Sequence, residues 1–218
     1  MNALILVDLQ NDFCPGGALA VPRGDEVIAV ANTLARSGRF SRIVATQDWH
    51  PSDHGSFAAN HPGRAPYELG ELAGLPQVLW PVHCVQNTHG AAFHPDLEAS
   101  RIDRVFPKGT DVGVDSYSGL FDNGKRKSTG LAEWLRAEGV RKVTVLGLAT
   151  DYCVKATAID AKAAGFEVDL VLDGCRGVGL GEADVADALD AMRSSGVRIV
   201  SAAHAMGSEN PRGDEPLP

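Results

Sequence analysis

The chain has 218 residues, of which 44% are hydrophobic and 22% charged, proportions that suit a folded globular domain and exclude a disordered one. Its formal net charge is -8 and its main basic run is Lys125-Arg126-Lys127, beside the turn signal Asp122-Asn123-Gly124, so no positive stripe is available to follow a nucleic-acid backbone. No apolar run approaches the roughly 20 residues that span a bilayer, and the start of the chain lacks a charged leader and a cleavage site, so no membrane partner is expected.

The first apolar run, residues 3–7, is rich in branched side chains and ends at Asp8; it reads as a strand buried on both faces. Residues 25–37 carry Val27, Ile28, Ala31, Leu34 and Ala35 at one-face helical spacing, with Gly38 as the stop. A strand over 42–46 follows and leads to Asp48-Trp49-His50. The stretch 47–77 is dense in His, Pro, Gly, Asn and Ser and keeps no period, which marks a long functional loop. Strands are expected at 77–80, running toward His83, and at 104–106, running toward Lys108. Helices over 130–138, 151–164 and 182–195 then alternate with strands at 142–146, 167–172 and 197–200. That order predicts an α/β fold, a three-layer αβα sandwich around a mainly parallel sheet. One domain is expected over residues 1–205, with a flexible tail over 206–218, where apolar periodicity stops.

In open α/β sheets ligands bind beyond the carboxyl ends of the strands. Asp8, Asp48, His50, His83, Lys108 and Cys153 all follow predicted strands. Cys153 falls in the first turn of the helix over 151–164, with Thr150 or Asp151 as its cap, where the helix terminus and a nearby Lys108 ammonium favour thiolate. The bland alternative for a lone cysteine is core packing. A thiol nucleophile needs a proton acceptor, for which Asp8 is the candidate. Asp48 and His50, two apart in an extended segment, point the same way and could share an ion with His83. Two imidazoles and a carboxylate leave coordination positions open, as in catalytic sites; His54 and His61 are close enough in sequence to compete as ligands. Cys14, Cys84, Cys153 and Cys175 show no paired spacing, which fits a reducing cytoplasm better than a disulfide framework.

The segments bearing these residues, 3–13, 46–51, 80–84, 107–109 and 147–154, resemble the nicotinamidase branch of the isochorismatase-like cysteine hydrolases, nicotinamidase/pyrazinamidase included. The resemblance implies a catalytic triad of Asp8, Lys108 and Cys153, with an oxyanion hole from the backbone N–H groups of Ala149 and Cys153. It also implies a cis Leu148-Ala149 peptide and one divalent metal ion (zinc, iron or manganese) on Asp48, His50 and His83. Phe13 and Trp80 match positions that flank the substrate ring, and Tyr117 is expected to close the pocket. The implied reaction is hydrolysis of the small-molecule substrate nicotinamide to nicotinate and ammonia, as in pyridine nucleotide salvage, through a thioester on Cys153. Hydrolysis of a carbamoyl or ureido group, or a non-catalytic metal-binding role, are the competing readings.

Overall fold

Strand β1 (Asn2–Val7) occupies the middle of the sheet, because Ala3 to Val7 are apolar on both faces and fully buried. The computed structural model describes residues 1–207. Strands β2 (Arg42–Asp48) and β5 (Arg104–Lys108) lie to one side of β1, and β6 (Lys142–Leu148), β7 (Glu167–Arg176) and β8 (Arg198–Val200) to the other. The sheet therefore has six strands in the order β5-β2-β1-β6-β7-β8, and every neighbouring pair is parallel. The chain reverses its direction of travel between β1 and β6, so the crevice at their carboxyl ends is the topological switch point.

Helices α1 (Glu26–Arg36), α2 (Leu131–Ala137), α3 (Lys155–Ala163), α4 (Asp184–Ser194) and the short α5 (Ala202–Ala205) connect or follow the strands. The stripe predicted for α1 is what it buries: Val27, Ile28, Ala31, Leu34 and Ala35 all face inward. It packs with α5, while α3 packs with α4, and helices of both pairs rest on β7. The expected αβα sandwich is thus present. Beyond α5, Met206 and Gly207 form a turn, and the rest of the tail expected over 206–218 lies outside the described residues.

Two segments differ from the sequence expectation. The strand anticipated at 77–80 does not join the central sheet. Instead β3 (Leu69–Leu72) and β4 (Leu75–Val78) form an antiparallel hairpin inside the region expected to be loop. Its two-residue turn has positive φ at Ala73 (55°) and Gly74 (79°), the geometry of a type I′ turn. Pro76 within β4 and Pro81 beyond it cannot donate to a ladder, which suits a short peripheral pair better than an inner strand. His83 is consequently delivered by a loop rather than by a strand of the sheet. The second difference is at Cys153: Thr150–Val154 forms a π-helical turn that leads into α3, and neither Thr150 nor Asp151 caps it through a side chain.

The strands also run further than predicted. β2 and β5 continue to Asp48 and Lys108, which are directly paired at the end of the ladder. Backbone pairing continues under polar side chains here, because those side chains point into a shared crevice rather than to solvent.

Candidate active site

Asp8, Asp48, Lys108 and Cys153 come from the ends of four neighbouring strands and meet at the switch point. Lys108 Nζ lies 2.9 Å from Asp8 Oδ2, 2.5 Å from Asp48 Oδ1 and 3.3 Å from Cys153 Sγ. Its three hydrogens go to Asp48, to Cys153 and to the Ser116 carbonyl at 3.0 Å, so Asp8 Oδ2 is held by charge without a well-formed hydrogen bond. The carboxylate oxygens of Asp8 and Asp48 and the Cys153 sulfur are all within 4.8 Å of one another. Asp8 takes the left-handed backbone conformation, φ 51°, which an aspartate tolerates better than most residues. Its second oxygen accepts from Thr46 Oγ1 at 2.5 Å, so the side chain is fixed in the crevice.

All four groups are buried, and burial competes with their mutual charges: burial would raise Asp48, yet Lys108 and His50 hold it well below the usual carboxylate range. Burial raises the Asp8 carboxyl, with Lys108 opposing and the Asp48 charge reinforcing. Burial would lower Lys108, yet the Asp48 and Asp8 carboxylates drive it well above the usual lysine range. The Cys153 thiol is pushed well up by burial and, against the pull of Lys108, by both carboxylates. Burial and the two carboxylates thus oppose the thiolate expected from the helix terminus and the lysine: one ammonium already serves two carboxylates, and a third anion in the same dry space is disfavoured. A thiol that ionises only as its proton is taken suits an adjacent carboxylate that is itself more basic than usual.

Asp48, His50 and His83 converge beside this cluster. Asp48 Oδ2 is 3.6 Å from His50 Nε2 and 3.8 Å from His83 Nε2. His50 Nδ1 lies 2.9 Å from the Gly109 carbonyl and His83 Nδ1 lies 2.8 Å from the Pro81 carbonyl. Carbonyls only accept, so each ring carries a hydrogen on Nδ1 and turns Nε2 toward Asp48, the nitrogen that would face a shared ion, while the Asp48 carboxylate raises His50 against burial. Burial, with the neighbouring His50, holds His83 down to about 4, which favours the neutral ring. The donor set fits a divalent ion.

His54 and His61, which could compete as ligands by sequence, are placed differently. His61 Nε2 lies 2.7 Å from the Gly55 carbonyl, away from the cluster. The His54 ring centroid is 4.3 Å from that of His50, and its Nδ1 meets Ser56 Oγ at 2.7 Å. Its Nε2 is buried without a well-formed hydrogen bond, although the Val114 backbone is near enough to influence its titration. His54, His50 and Asp115 also bring ligand atoms within 4.8 Å of one another.

Phe13, Trp80 and Tyr117 line one pocket with Cys153, Ala149 and the Asp48, His50 and His83 cluster. Trp80 stands edge-on to Tyr117 at 6.4 Å and Phe13 edge-on to His83 at 5.5 Å. The sequence reading missed Leu19, Asp115, Tyr152 and Val178, which line the same pocket. Tyr152, 4.8 Å from Trp80 between ring centroids, could have been suspected from its place beside Cys153. The other three lie on loops whose approach no periodicity foretells. The Leu148-Ala149 peptide is cis, as the resemblance implied.

Three polar residues act behind the pocket: Gln10 and Asp12 of the first segment, and Asp151. Gln10 clamps Asp48 through both ends of its amide, Nε2 donating to the Asp48 carbonyl and Oε1 accepting from the Asp48 N–H, each at 2.8 Å. Asp12 accepts from the Cys84 N–H at 2.7 Å, tethering the residue after His83. Asp151 holds the loop carrying Val178 by accepting from the Val178 and Gly179 N–H groups at 2.9 and 2.8 Å.

A parallel αβα sheet with a thiol, an ammonium and carboxylates gathered at its switch point defines a class of hydrolases, and the chain belongs to the isochorismatase domain family, whose model matches residues 2–204. Within that family it is 52% identical over 204 residues to the nicotinamidase of Escherichia coli (strain K12), covering 93% of this chain and 95% of that protein. The structure of a nicotinamidase/pyrazinamidase from Acinetobacter baumannii matches it with a TM-score of 0.90 at 44% identity, over 93% of this chain and 97% of that one. The pyrazinamidase of Pyrococcus horikoshii, solved in complex with zinc, matches with a TM-score of 0.75 at 41% identity, over 92% and 98%.

Proposed function

We propose that this chain hydrolyses nicotinamide to nicotinate and ammonia, with Cys153 as nucleophile, Asp8 as proton carrier and Lys108 as the cation between them. The observation that carries the reading is a single buried ammonium within 3.3 Å of the Cys153 sulfur and 2.9 Å of Asp8, under a pocket walled by aromatic rings. The rings of Phe13, Trp80, Tyr117 and Tyr152 suit a flat aromatic amide better than a carbamoyl or ureido chain.

In the proposed sequence Asp8 accepts the Cys153 thiol proton as the sulfur attacks the amide carbon. The backbone N–H groups of Ala149 and Cys153 receive the oxyanion, a contribution of about 3 kcal/mol per donor. Asp8 returns the proton to the amide nitrogen, the C–N bond breaks, and ammonia leaves a thioester on Cys153. Asp8 then takes a proton from water as its oxygen attacks the thioester, nicotinate departs, and the sulfur is reprotonated. Lys108 balances whichever of its neighbours is anionic at each stage.

Asp48, His50 and His83 would hold a divalent ion, and imidazole with carboxylate suits zinc, iron or manganese alike. When bound, that ion supplies a Lewis-acidic docking point for the pyridine nitrogen. The chain's own residues do the orienting: the two backbone carbonyls fix both rings, and Asp48 is clamped by Gln10. Gly109 is required for this, because a Cβ at that position would lie 2.3 Å from His50 Cε1 and 2.6 Å from its Nδ1. Gly109→Ala is therefore expected to weaken metal affinity about 10- to 100-fold, the usual cost of disturbing a ligand's support; metal analysis after dialysis checks it, and full retention would contradict the role given to His50.

The deciding experiment is ammonia release from nicotinamide by purified protein, with pyrazine carboxamide and a ureido compound in parallel. Pyrazine carboxamide offers a ring nitrogen and an amide at the same separation and is expected to be accepted. Turnover of the ureido compound alone would overturn the proposal.

A further inference from the structure

We infer that Gln77, on the β3-β4 hairpin and outside the pocket, is a positioning residue that sets the aromatic wall on which the substrate ring packs; this deepens the nicotinamide reading and rests on it. Gln77 is 2% exposed, and its amide nitrogen is 2.8 Å from Asp115 Oδ2, 3.1 Å from Tyr117 Oη and 2.8 Å from the Val78 carbonyl. Trp80 Nε1 lies 3.2 Å from the same Tyr117 oxygen.

An indole N–H and an amide NH2 can only donate; of the two amide hydrogens one goes to Asp115 and the other is shared between the Val78 carbonyl and the Tyr117 oxygen, so the phenol is held from two directions, by Trp80 and by this shared bond. Asp115 decides which end of the Gln77 amide faces it: reversing the amide would set a carbonyl oxygen against a carboxylate. The other Asp115 oxygen accepts from the Ser116 N–H at 2.7 Å, and the Ser116 carbonyl accepts from Lys108 Nζ at 3.0 Å. The segment 115–117 is therefore tied to the hairpin by Gln77 and to the reaction centre by Lys108. Its tyrosine and Trp80 form one edge-on pair of the wall.

Ring packing is present equally in the ground and transition states, so loosening it raises KM and leaves kcat nearly unchanged. Gln77→Leu removes both donors at similar volume and is expected to raise KM for nicotinamide roughly 5- to 10-fold, as loss of a buried hydrogen bond would, with kcat within about twofold. The chain has three tryptophans, so three indole N–H signals are available by NMR without substrate, and Trp80→Phe identifies the relevant one. Gln77→Leu and Tyr117→Phe are each expected to move that signal, and the KM effects of the two changes are expected to be less than additive when combined.

Unchanged KM with an unmoved Trp80 signal in folded Gln77→Leu would overturn the inference, as would fully additive effects. Should Gln77→Leu fail to fold, the milder Tyr117→Phe still decides: an unmoved indole signal would refute the network. Absence of ammonia release by the unaltered protein would instead sink the substrate reading, leaving the indole signals to judge the network by itself.

Discussion

Cys153→Ala is expected to abolish ammonia release from nicotinamide, lowering kcat by at least about 10⁴-fold, because the covalent route has no substitute once the sulfur is gone. The change is small in structural terms. Cys153 is buried, and replacing a thiol by a methyl removes one polarizable atom from a packed site without stranding a charge. Folding and metal content are therefore expected to survive, which separates lost chemistry from lost structure. Because burial and the neighbouring carboxylates raise the Cys153 thiol, a Cys153→Ser variant is expected to be equally inert: a hydroxyl is harder still to deprotonate in that space. Measured turnover by Cys153→Ala within tenfold of the unaltered protein would end the nucleophile assignment.

The second large effect is on stability. Lys108→Met keeps the length and volume of the side chain but leaves Asp8 and Asp48 facing one another in a dry crevice, their oxygens within 4.8 Å. Breaking a buried ion pair by removing one partner costs about 3–5 kcal/mol, which for a chain of this size lowers Tm by about 6–20 °C at about 2–4 °C per kcal/mol. Thermal denaturation followed by circular dichroism reads this directly. Adding Asp8→Asn to Lys108→Met removes one of the two stranded charges and is expected to recover part of the loss, since the sites share a partner and couple. A Tm for Lys108→Met within about 2 °C of the unaltered protein, less than a single kcal/mol, would show that the lysine does not hold the cluster together.

How much of this was legible in the residues depends on the range of the interaction concerned. The core of β1, the stripe on α1 and the alternation of strands and helices from residue 131 to 200 follow from local periodicity, because side-chain direction repeats with backbone geometry. Strand ends were read short at Thr46 and Phe106, since polar residues look like loop until a crevice exists to receive them. The β3-β4 hairpin was missed because its turn is Ala73-Gly74 rather than an asparagine-glycine or aspartate-glycine pair, and an alanine at positive φ gives no warning in the sequence.

The sequence by itself determined which reactive groups the chain possesses and that each follows a strand: Asp8, Asp48, Lys108 and Cys153 could be nominated because strand ends in a parallel sheet face one crevice. Only the tertiary structure decided how those groups stand toward one another. That one ammonium serves two carboxylates and a thiol, and that Gln77 reaches Tyr117 and Asp115 from a hairpin, are matters of a few ångströms between residues 30 or more positions apart. Charges and hydrogen bonds in a buried site depend on distance and on the exclusion of water, and neither is fixed until the chain has folded around them.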